Sequence, residues 1–213
     1  MGRLPDPWQI PDWALAGKDG TFGGRFDDPA GEYRVLYASS QRLGCFLETL
    51  ARFRPDLSLV AELAEIGGDD DFVPAGIVPR EWLNDRLIGS ALIPGTYADI
   101  GSSDWIAFLR HTLARDVLAA GFSDFDAAVL QTSAPRSLTQ AASRIANRQG
   151  LDGLRYLSRY GHDLENWAVF EPFRIDARGA SRISAEDADL QTALRIHALH
   201  LGQEAACAAM SRS

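Results

Sequence analysis

The order in which strand-like and helix-like segments follow one another restricts the fold of this chain more than any other feature of its sequence. Short segments rich in β-branched and aromatic residues are mixed with segments whose apolar residues recur at helical spacing. A doubly wound parallel sheet would need a regular strand–helix–strand rhythm, and the sequence has none. The pattern therefore predicts an α+β fold, a single domain in which mixed or antiparallel sheets are flanked by helices.

Strands and helices can be placed along most of the chain. Strands are predicted over residues 32–38, 57–66, 86–93, 125–131, 153–158 and 166–171. Helices are predicted over residues 40–54, 102–120, 135–149 and 184–202. Residues 1–24 are predicted to form an N-terminal arm, residues 25–202 the domain, and residues 203–213 a disordered tail. The last helix can form a homodimer or partner surface, or it can cover the core of its own domain.

Charge and cysteine content exclude several classes of function. The chain has 21 Lys and Arg against 29 Asp and Glu, a net charge of −8. Binding to a nucleic-acid backbone depends on clustered basic residues, so we expect no direct nucleic-acid binding. No signal peptide is expected, because residues 1–20 contain no basic stretch followed by an apolar run and no cleavage-like site. No membrane span is expected, because no apolar run approaches about 18 residues. With Cys45 and Cys207 as its two cysteines, the chain is expected to lack a disulfide framework and to be cytoplasmic.

The histidines do not show the spacing of a metal site. None of the four belongs to a CxxC, HExxH or HxH pattern. The sequence therefore predicts no metal ion.

Arg25 is the first candidate for a functional residue. It lies in the segment GGRFDDP, residues 23–29, where two glycines allow the backbone to turn tightly or to approach a ligand. A guanidinium held there can bind a phosphate through two parallel hydrogen bonds. The alternative is a surface arginine paired with Asp27 or Asp28.

Tyr37 and Glu48 lie on either side of the first strand-to-helix junction. Tyr37 is near the end of its strand, a common place for a ligand-facing ring, although a half-buried core tyrosine also fits. Glu48 lies about 150° from the centre of the apolar stripe of its helix, at about 100° per residue, where a solvated glutamate is also ordinary. Gly44, one turn earlier, costs ~1 kcal/mol relative to alanine, which suggests that something approaches the carboxylate closely.

Ser158 is the fourth candidate, at the end of the predicted strand 153–158. A serine there can contact a substrate or bond the backbone of its own turn. No G-x-S-x-G segment surrounds it, and His162 is close in sequence, so a serine hydrolase is poorly supported.

Three segments together resemble the RES domain, a family named for its Arg, Glu and Ser. They are GGRFDDP at residues 23–29, YRVLYAS with LETLARFRP in residues 33–55, and DGLRYLSR with NWAVFE in residues 152–171. Most members are toxins of bacterial toxin–antitoxin pairs whose antitoxin is an Xre-type helix-turn-helix protein. Their fold resembles ADP-ribosyltransferases of the diphtheria-toxin type, and they consume NAD⁺. The resemblance implies that fold, NAD⁺ as substrate and such an antitoxin as partner.

Matched residue by residue, the family's Arg, Tyr and Glu correspond to Arg25, Tyr37 and Glu48. Ser158 is the better match for the family's serine, with Ser133 as the alternative. Breaking the nicotinamide–ribose bond passes through an oxocarbenium-like state that a carboxylate can stabilise. The resemblance thus implies that Glu48 bonds a ribose hydroxyl and stabilises that charge. Tyr37 would stack on nicotinamide and Arg25 would hold the pyrophosphate. Ser158 would orient the ribose or the nicotinamide amide.

The reaction's acceptor stays open at this point. Water, phosphate or a macromolecule would make the protein a glycohydrolase, a phosphorylase or an ADP-ribosyltransferase, and residues 56–100, longer than in a minimal member, can reshape the pocket. The competing hypothesis is a non-catalytic protein that keeps the fold to bind a nucleotide or a partner. A third holds that the four candidates are ordinary surface and core residues, in which case they would be scattered over the structure.

Overall fold

A four-stranded sheet and a three-stranded sheet supply most of the β-structure in the computed structural model, which describes residues 1–18, 22–58, 60–61, 76–132 and 134–202. The strands are β1 (Gly2–Arg3), β2 (Val35–Ser39), β3 (Gly76–Val78), β4 (Arg86–Leu92), β5 (Tyr97–Asp99), β6 (Gly153–Ser158), β7 (Gly161–Phe170), β8 (Asp176–Arg182) and β9 (Leu199–Leu201). The helices are α1 (Arg42–Leu50), α2 (Arg80–Asn84), α3 (Ser103–Thr112), α4 (Ala114–Ala119), α5 (Ala127–Gln131), α6 (Ser137–Arg148) and α7 (Ala188–Ile196).

The strand order confirms the α+β class. The four-stranded sheet has the order β2-β7-β6-β5, with antiparallel pairing except between β5 and β6. The three-stranded sheet β1-β4-β8 is antiparallel, and β3 pairs with β9 in parallel. The protein is therefore a single domain of mixed and antiparallel sheets flanked by helices.

The first hydrophobic core lies on one face of the four-stranded sheet. Leu154, Ala168 and Phe170 of that face are buried and pack with apolar residues of helices α3 to α6. Side chains alternate along each strand, so the even-numbered residues of β6 and β7 and the odd-numbered residues of β2 face these helices, and the others face the opposite side of the sheet. Strand β2 is an edge strand, which leaves its outer side open for the site described below.

The second core joins helices α1 and α7. Phe46, Leu47 and Leu50 of α1 are buried against Leu190 and Leu194 of α7. The last helix therefore covers the core of its own domain, one of the two alternatives that its sequence allowed. Asp187 is its N-cap, with a carboxylate oxygen that accepts the N–H groups of the next turn.

Several sequence predictions of secondary structure were wrong. The predicted strand 125–131 is the short helix α5, because the Asp126 carboxylate caps it by accepting the N–H groups of Ala128 and Val129. Residues 57, 58, 60 and 61, predicted as part of a strand, are helical; residues 59 and 62–66 lie outside the described residues.

Other elements differ from the prediction in their boundaries. The predicted helix 102–120 is divided at Leu113 into α3 and α4, although Ser102 caps it and Gly121 follows its end as expected. The last helix begins at Ala188 rather than at Ser184 and ends before β9. Strands β3 and β8 have no counterpart among the predicted elements, and the turn before β7 is shorter than predicted.

The first residues of the chain belong to the three-stranded sheet. Gly2–Arg3 of the predicted N-terminal arm pair with β4, while the predicted tail 203–213 lies outside the described residues. Within the described part of the chain, no helix has the length and the apolar run needed to cross a bilayer.

The contact between α1 and α7 yields a stability prediction. Leu190 is 0% exposed, so Leu190→Ala should lower the free energy of unfolding by about 2–5 kcal/mol through lost burial and the cavity left behind. Ile196→Ala on the same helix removes a side chain that is 52% exposed and should change it by no more than about 0.5 kcal/mol. Urea unfolding measures both, and equal losses would show that α7 is not part of the core.

Candidate functional site

A cleft of about 400 Å³ opens beside the edge strand β2. Arg25, Tyr37 and Glu48 line it, from the loop before β2, from β2 itself and from α1. Ser158 does not line the cleft but contacts Glu48 directly from the end of β6. The four candidates thus converge at one place and are not scattered over the surface.

Glu48 is held from the sheet side by two buried donors. Its Oε1 accepts a hydrogen bond from the Ser158 hydroxyl at 2.7 Å and another from Asn166 Nδ2 at 2.8 Å. Both donors are 1% exposed, and they come from adjacent strands, β6 and β7. Among the described residues, no group donates to Oε2 of Glu48. One carboxylate oxygen is therefore fixed, while the other is available to a ligand in the cleft.

The Ser158 hydroxyl donates one hydrogen bond and accepts another. The oxygen accepts the N–H of Tyr160 at 3.0 Å while the proton goes to Glu48. The local turn contact that a strand-end serine commonly makes is therefore present together with the contact to the glutamate. Ser133, the alternative match, lies outside the described residues.

Asn166 is a site residue that the sequence analysis missed. It faces Tyr156 across the β6–β7 pair, and its Oδ1 is buried with no hydrogen-bond partner among the residues that the structure describes. A signal for it existed in the sequence, since an asparagine on the inward-facing side of an apolar strand needs a polar partner. Pattern alone could not name Glu48 as that partner, because the two residues are far apart in the chain.

Arg25 is not the paired surface arginine of the alternative interpretation. Its Nη1 donates to the Leu130 carbonyl at 2.8 Å, and the guanidinium carbon lies 5.1 Å from the centre of the Tyr156 ring. Asp27 is occupied by its own loop, and Asp28 lies 3.1 Å from Nε of Arg144. With the described residues Arg25 makes no ion pair, which leaves its charge available to an anion.

The Asp27 carboxylate holds the loop that carries Arg25. Oδ2 accepts the N–H of Gly24 at 2.6 Å, and Oδ1 accepts the Tyr37 hydroxyl at 2.8 Å. The Tyr37 oxygen in turn accepts the N–H of Phe26 at 2.9 Å. A Cβ on Gly24 would overlap both the Tyr37 hydroxyl and Asp27, so this position requires glycine.

The environment of Tyr37 separates its ring from its hydroxyl. The residue is 36% exposed, and since the hydroxyl is bonded on both sides, the exposed part is the ring that faces the cleft. Burial of the hydroxyl, followed by the nearby charge of Asp27, raises the pKa of Tyr37 well above its usual value. The ring is therefore a neutral, fixed wall of the cleft.

Tyr156 lines the cleft close to both charged candidates, Arg25 and Glu48. Burial raises the pKa of its hydroxyl, Arg25 lowers it and Glu48 raises it. Both charges therefore act on one tyrosine, which agrees with their common position in the cleft. The Tyr156 ring is also the face on which the Arg25 guanidinium lies.

Gly44 has a structural explanation. A Cβ at this position would overlap the Ser39 hydroxyl oxygen, so the glycine lets α1 approach the end of β2. The atoms that come close to Gly44 belong to Ser39 at the end of β2, whereas the sequence predicted a close approach to the Glu48 carboxylate. The close packing also places Glu48, one turn later, within reach of Ser158 and Asn166.

Two further arginines line the cleft. Arg136 lies at the start of α6, and Arg159 follows β6 with its Nη2 donating to the Tyr160 hydroxyl at 2.9 Å. Neither makes an ion pair with the described residues, as is also true of Arg25. Among the described residues, no group of three His, Cys, Asp or Glu side chains is arranged to hold a metal ion.

The chain belongs to the RES-domain family. The family model of the RES domain matches residues 5–192 of the 213-residue chain, which confirms the resemblance found in its motifs. No curated protein and no solved structure matches the chain. The likeness of the fold to ADP-ribosyltransferases therefore stays a prediction.

The loop that carries Arg25 yields a second prediction. Gly24→Ala should lower the free energy of unfolding by about 1–3 kcal/mol, because the new methyl group overlaps the bonded pair of Tyr37 and Asp27. Gly101→Ala is the matched control, since the nearest atom to its Cβ would be Asp99 Oδ1 at 3.7 Å. Thermal and urea unfolding measure the difference, and an unchanged Gly24→Ala protein would mean that the loop does not need this close contact.

Proposed function

We propose that this RES-domain protein cleaves the bond between nicotinamide and ribose in NAD⁺. The observation that carries the proposal is the convergence in one cleft of two groups, the Glu48 carboxylate, which is fixed on one oxygen, and Arg25, which has no acidic partner among the described residues. NAD⁺ offers a group for each of them, a ribose that becomes cationic and a pyrophosphate that is anionic.

The charges of the cleft suit a diphosphate. Arg25, Arg136 and Arg159 line it from three different segments, and none is neutralised by a carboxylate of the described residues. A guanidinium presents paired donors to phosphate oxygens and keeps its charge at every physiological pH. Three such groups around one cleft favour an anionic ligand over a neutral one.

Glu48 would act on the ribose through its unoccupied oxygen. As the C1′–N bond breaks, its electron pair leaves with nicotinamide and positive charge develops on the ribose. Glu48 Oε2 would accept a hydrogen bond from a ribose hydroxyl and stabilise that charge. An acceptor oxygen then bonds to C1′ and releases its proton to solvent; with water, the products are ADP-ribose, nicotinamide and a proton.

Two tyrosine rings would position the leaving group and the arginine. The exposed ring of Tyr37 would stack on nicotinamide, with its hydroxyl held away from the substrate by Asp27. The ring of Tyr156 supports the Arg25 guanidinium against the pyrophosphate. In this account Ser158 and Asn166 are positioning residues, because they touch Glu48 and not the reacting atoms.

We further propose that the protein is the toxin of a toxin–antitoxin pair and acts in the cytoplasm by depleting NAD⁺, with an Xre-type helix-turn-helix protein as its antitoxin. Family membership supports this proposal. Expression of the protein should stop growth and lower cellular NAD⁺, and the Glu48→Gln variant should do neither. Growth arrest by both proteins would assign the toxicity to another property.

The second candidate function is nucleotide binding without turnover. Asn166 Oδ1 favours it, because this atom is buried, has no hydrogen-bond partner within the described part of the chain, and could accept a hydrogen bond from a ligand. Calorimetry would then show binding of NAD⁺ by a protein that releases no nicotinamide.

A kinetic prediction tests the role of Glu48. Glu48→Gln should keep the hydrogen-bonding shape but lose the charge, so kcat for nicotinamide release should fall by about 10²–10³-fold. Glu81→Gln, on the exposed side of α2, should leave kcat unchanged. Nicotinamide is followed by chromatography with and without phosphate, so that the sugar product also identifies the acceptor. Undiminished release by Glu48→Gln would refute the mechanism.

A further prediction concerns the two positioning residues. Ser158→Ala and Asn166→Ala each remove one of the two donors to Glu48 Oε1, so each should lower kcat by about tenfold with little change in KM. Ser123→Ala, an exposed serine between α4 and α5, is the control. A rise in KM with unchanged kcat would instead show that these side chains bind substrate directly.

A further inference from the structure

A second cavity, of about 520 Å³, lies next to the cleft. We call it the groove. It shares five lining residues with the cleft: Met1, Tyr37, Ala38, Ser39 and Cys45. The two spaces border opposite faces of the edge strand β2, so an extended ligand that passes around this edge could occupy both.

The groove lies between the two larger sheets. One wall is the face of the four-stranded sheet turned away from helices α3 to α6, where Leu36 is paired with Val169. The other wall is β4 together with the N-terminal segment, whose Trp8 ring lies so close over Gly89 that a Cβ there would overlap it. The site is thus built mainly from strands of two sheets, with the N-terminal segment completing one wall.

The lining of the groove differs in charge from that of the cleft. Among the described residues that line it, Arg42 has the only charged side chain, and this guanidinium is paired with Asp187. The remaining side chains are aliphatic, aromatic or small and polar. The groove therefore suits a neutral group, whereas the cleft, whose three arginines have no ion pair with the described residues, suits an anionic one.

Trp167 offers a fixed aromatic surface in this groove. Its indole N–H donates to the Ser40 hydroxyl at 2.8 Å, and its ring centre lies 5.0 Å from that of Tyr97 at an interplanar angle of 79°. These two contacts hold the indole in place before any ligand arrives. The ring is only half-buried, so part of it remains open to the groove.

We propose that the groove binds the adenine base of the dinucleotide, with the Trp167 ring as a principal contact. This inference rests on the proposed function. With nicotinamide at Glu48 and the pyrophosphate at the arginines, the part of NAD⁺ that remains is a neutral, flat ring joined by one ribose. The groove adjoins the cleft, carries no unpaired charged side chain among its described residues, and presents aromatic side chains to such a ring.

Binding of product fragments to the full chain tests this site without turnover. Calorimetry should give a Kd for ADP-ribose that rises by about tenfold in Trp167→Ala, in line with the loss of one ring contact to a base. The Kd for ribose 5-phosphate, which lacks the base, should not change. Trp13→Ala is the matched control, because Trp13 is a partly exposed tryptophan that lines neither cavity.

A second variant narrows the groove with an added aromatic ring and leaves its other lining residues, including Trp167, unchanged. Ala91→Phe places a ring in the groove from β4 and should also weaken ADP-ribose and spare ribose 5-phosphate. It keeps the proposal testable if Trp167→Ala does not fold. Unchanged ADP-ribose affinity in a folded variant, equal loss for both ligands, or no binding of ADP-ribose by the unaltered protein would each overturn the proposal.

The cleavage of NAD⁺ and the binding of adenine in the groove can be refuted separately. If the protein binds ADP-ribose through Trp167 but releases no nicotinamide, adenine binding in the groove is supported and NAD⁺ cleavage is refuted. If the protein releases nicotinamide and Trp167→Ala leaves the kinetics for NAD⁺ unchanged, NAD⁺ cleavage is supported and adenine binding in the groove is refuted. If both hold, Trp167→Ala should raise KM for NAD⁺ and leave cleavage of nicotinamide mononucleotide as it was.

Discussion

The hydrogen bonds from Ser158 and Asn166 to one oxygen of Glu48 are the interaction on which the site depends. They connect α1 to two adjacent strands of the four-stranded sheet, so the position of the carboxylate is set by the β6–β7 pair and not by the helix alone. Both donors are buried and would be costly to leave unpaired, which ties the folding of this sheet to the placement of the charge. The same arrangement leaves the second oxygen facing the cleft. A local requirement for buried hydrogen bonds thus produces a preorganised carboxylate.

Several arginines outside the cleft are paired with carboxylates. Arg34 is paired with Glu171, and Arg155 bridges Asp99 and Glu165. The cleft arginines lack such partners among the described residues, so an acidic chain still presents local positive charge. The adjoining groove has no unpaired charged side chain among the residues described. This division of charge is the physical basis for proposing a ligand that is anionic in the middle and neutral at one end.

Much of this architecture could be predicted from the sequence, and the exceptions have physical causes. Local patterns located β2, β6, α1 and α6 because each combines a clear apolar period with a stop signal. The strand predicted at residues 125–131 was wrong because the Asp126 cap outweighed β propensity. Motifs brought Arg25, Tyr37, Glu48 and Ser158 together as candidates. Asn166 could not be assigned in this way, since its partner depends on strand register and helix docking, which are long-range properties.

The structure of the Glu48→Gln variant with NAD⁺ bound would test the central claim most directly. The account predicts the nicotinamide ribose beside residue 48, the pyrophosphate against Arg25 and the nicotinamide ring on Tyr37. The side chain at position 48 should still receive the Ser158 and Asn166 contacts at one end only. A dinucleotide bound elsewhere on the protein, or bound in the cleft with its phosphates away from the arginines, would contradict the account.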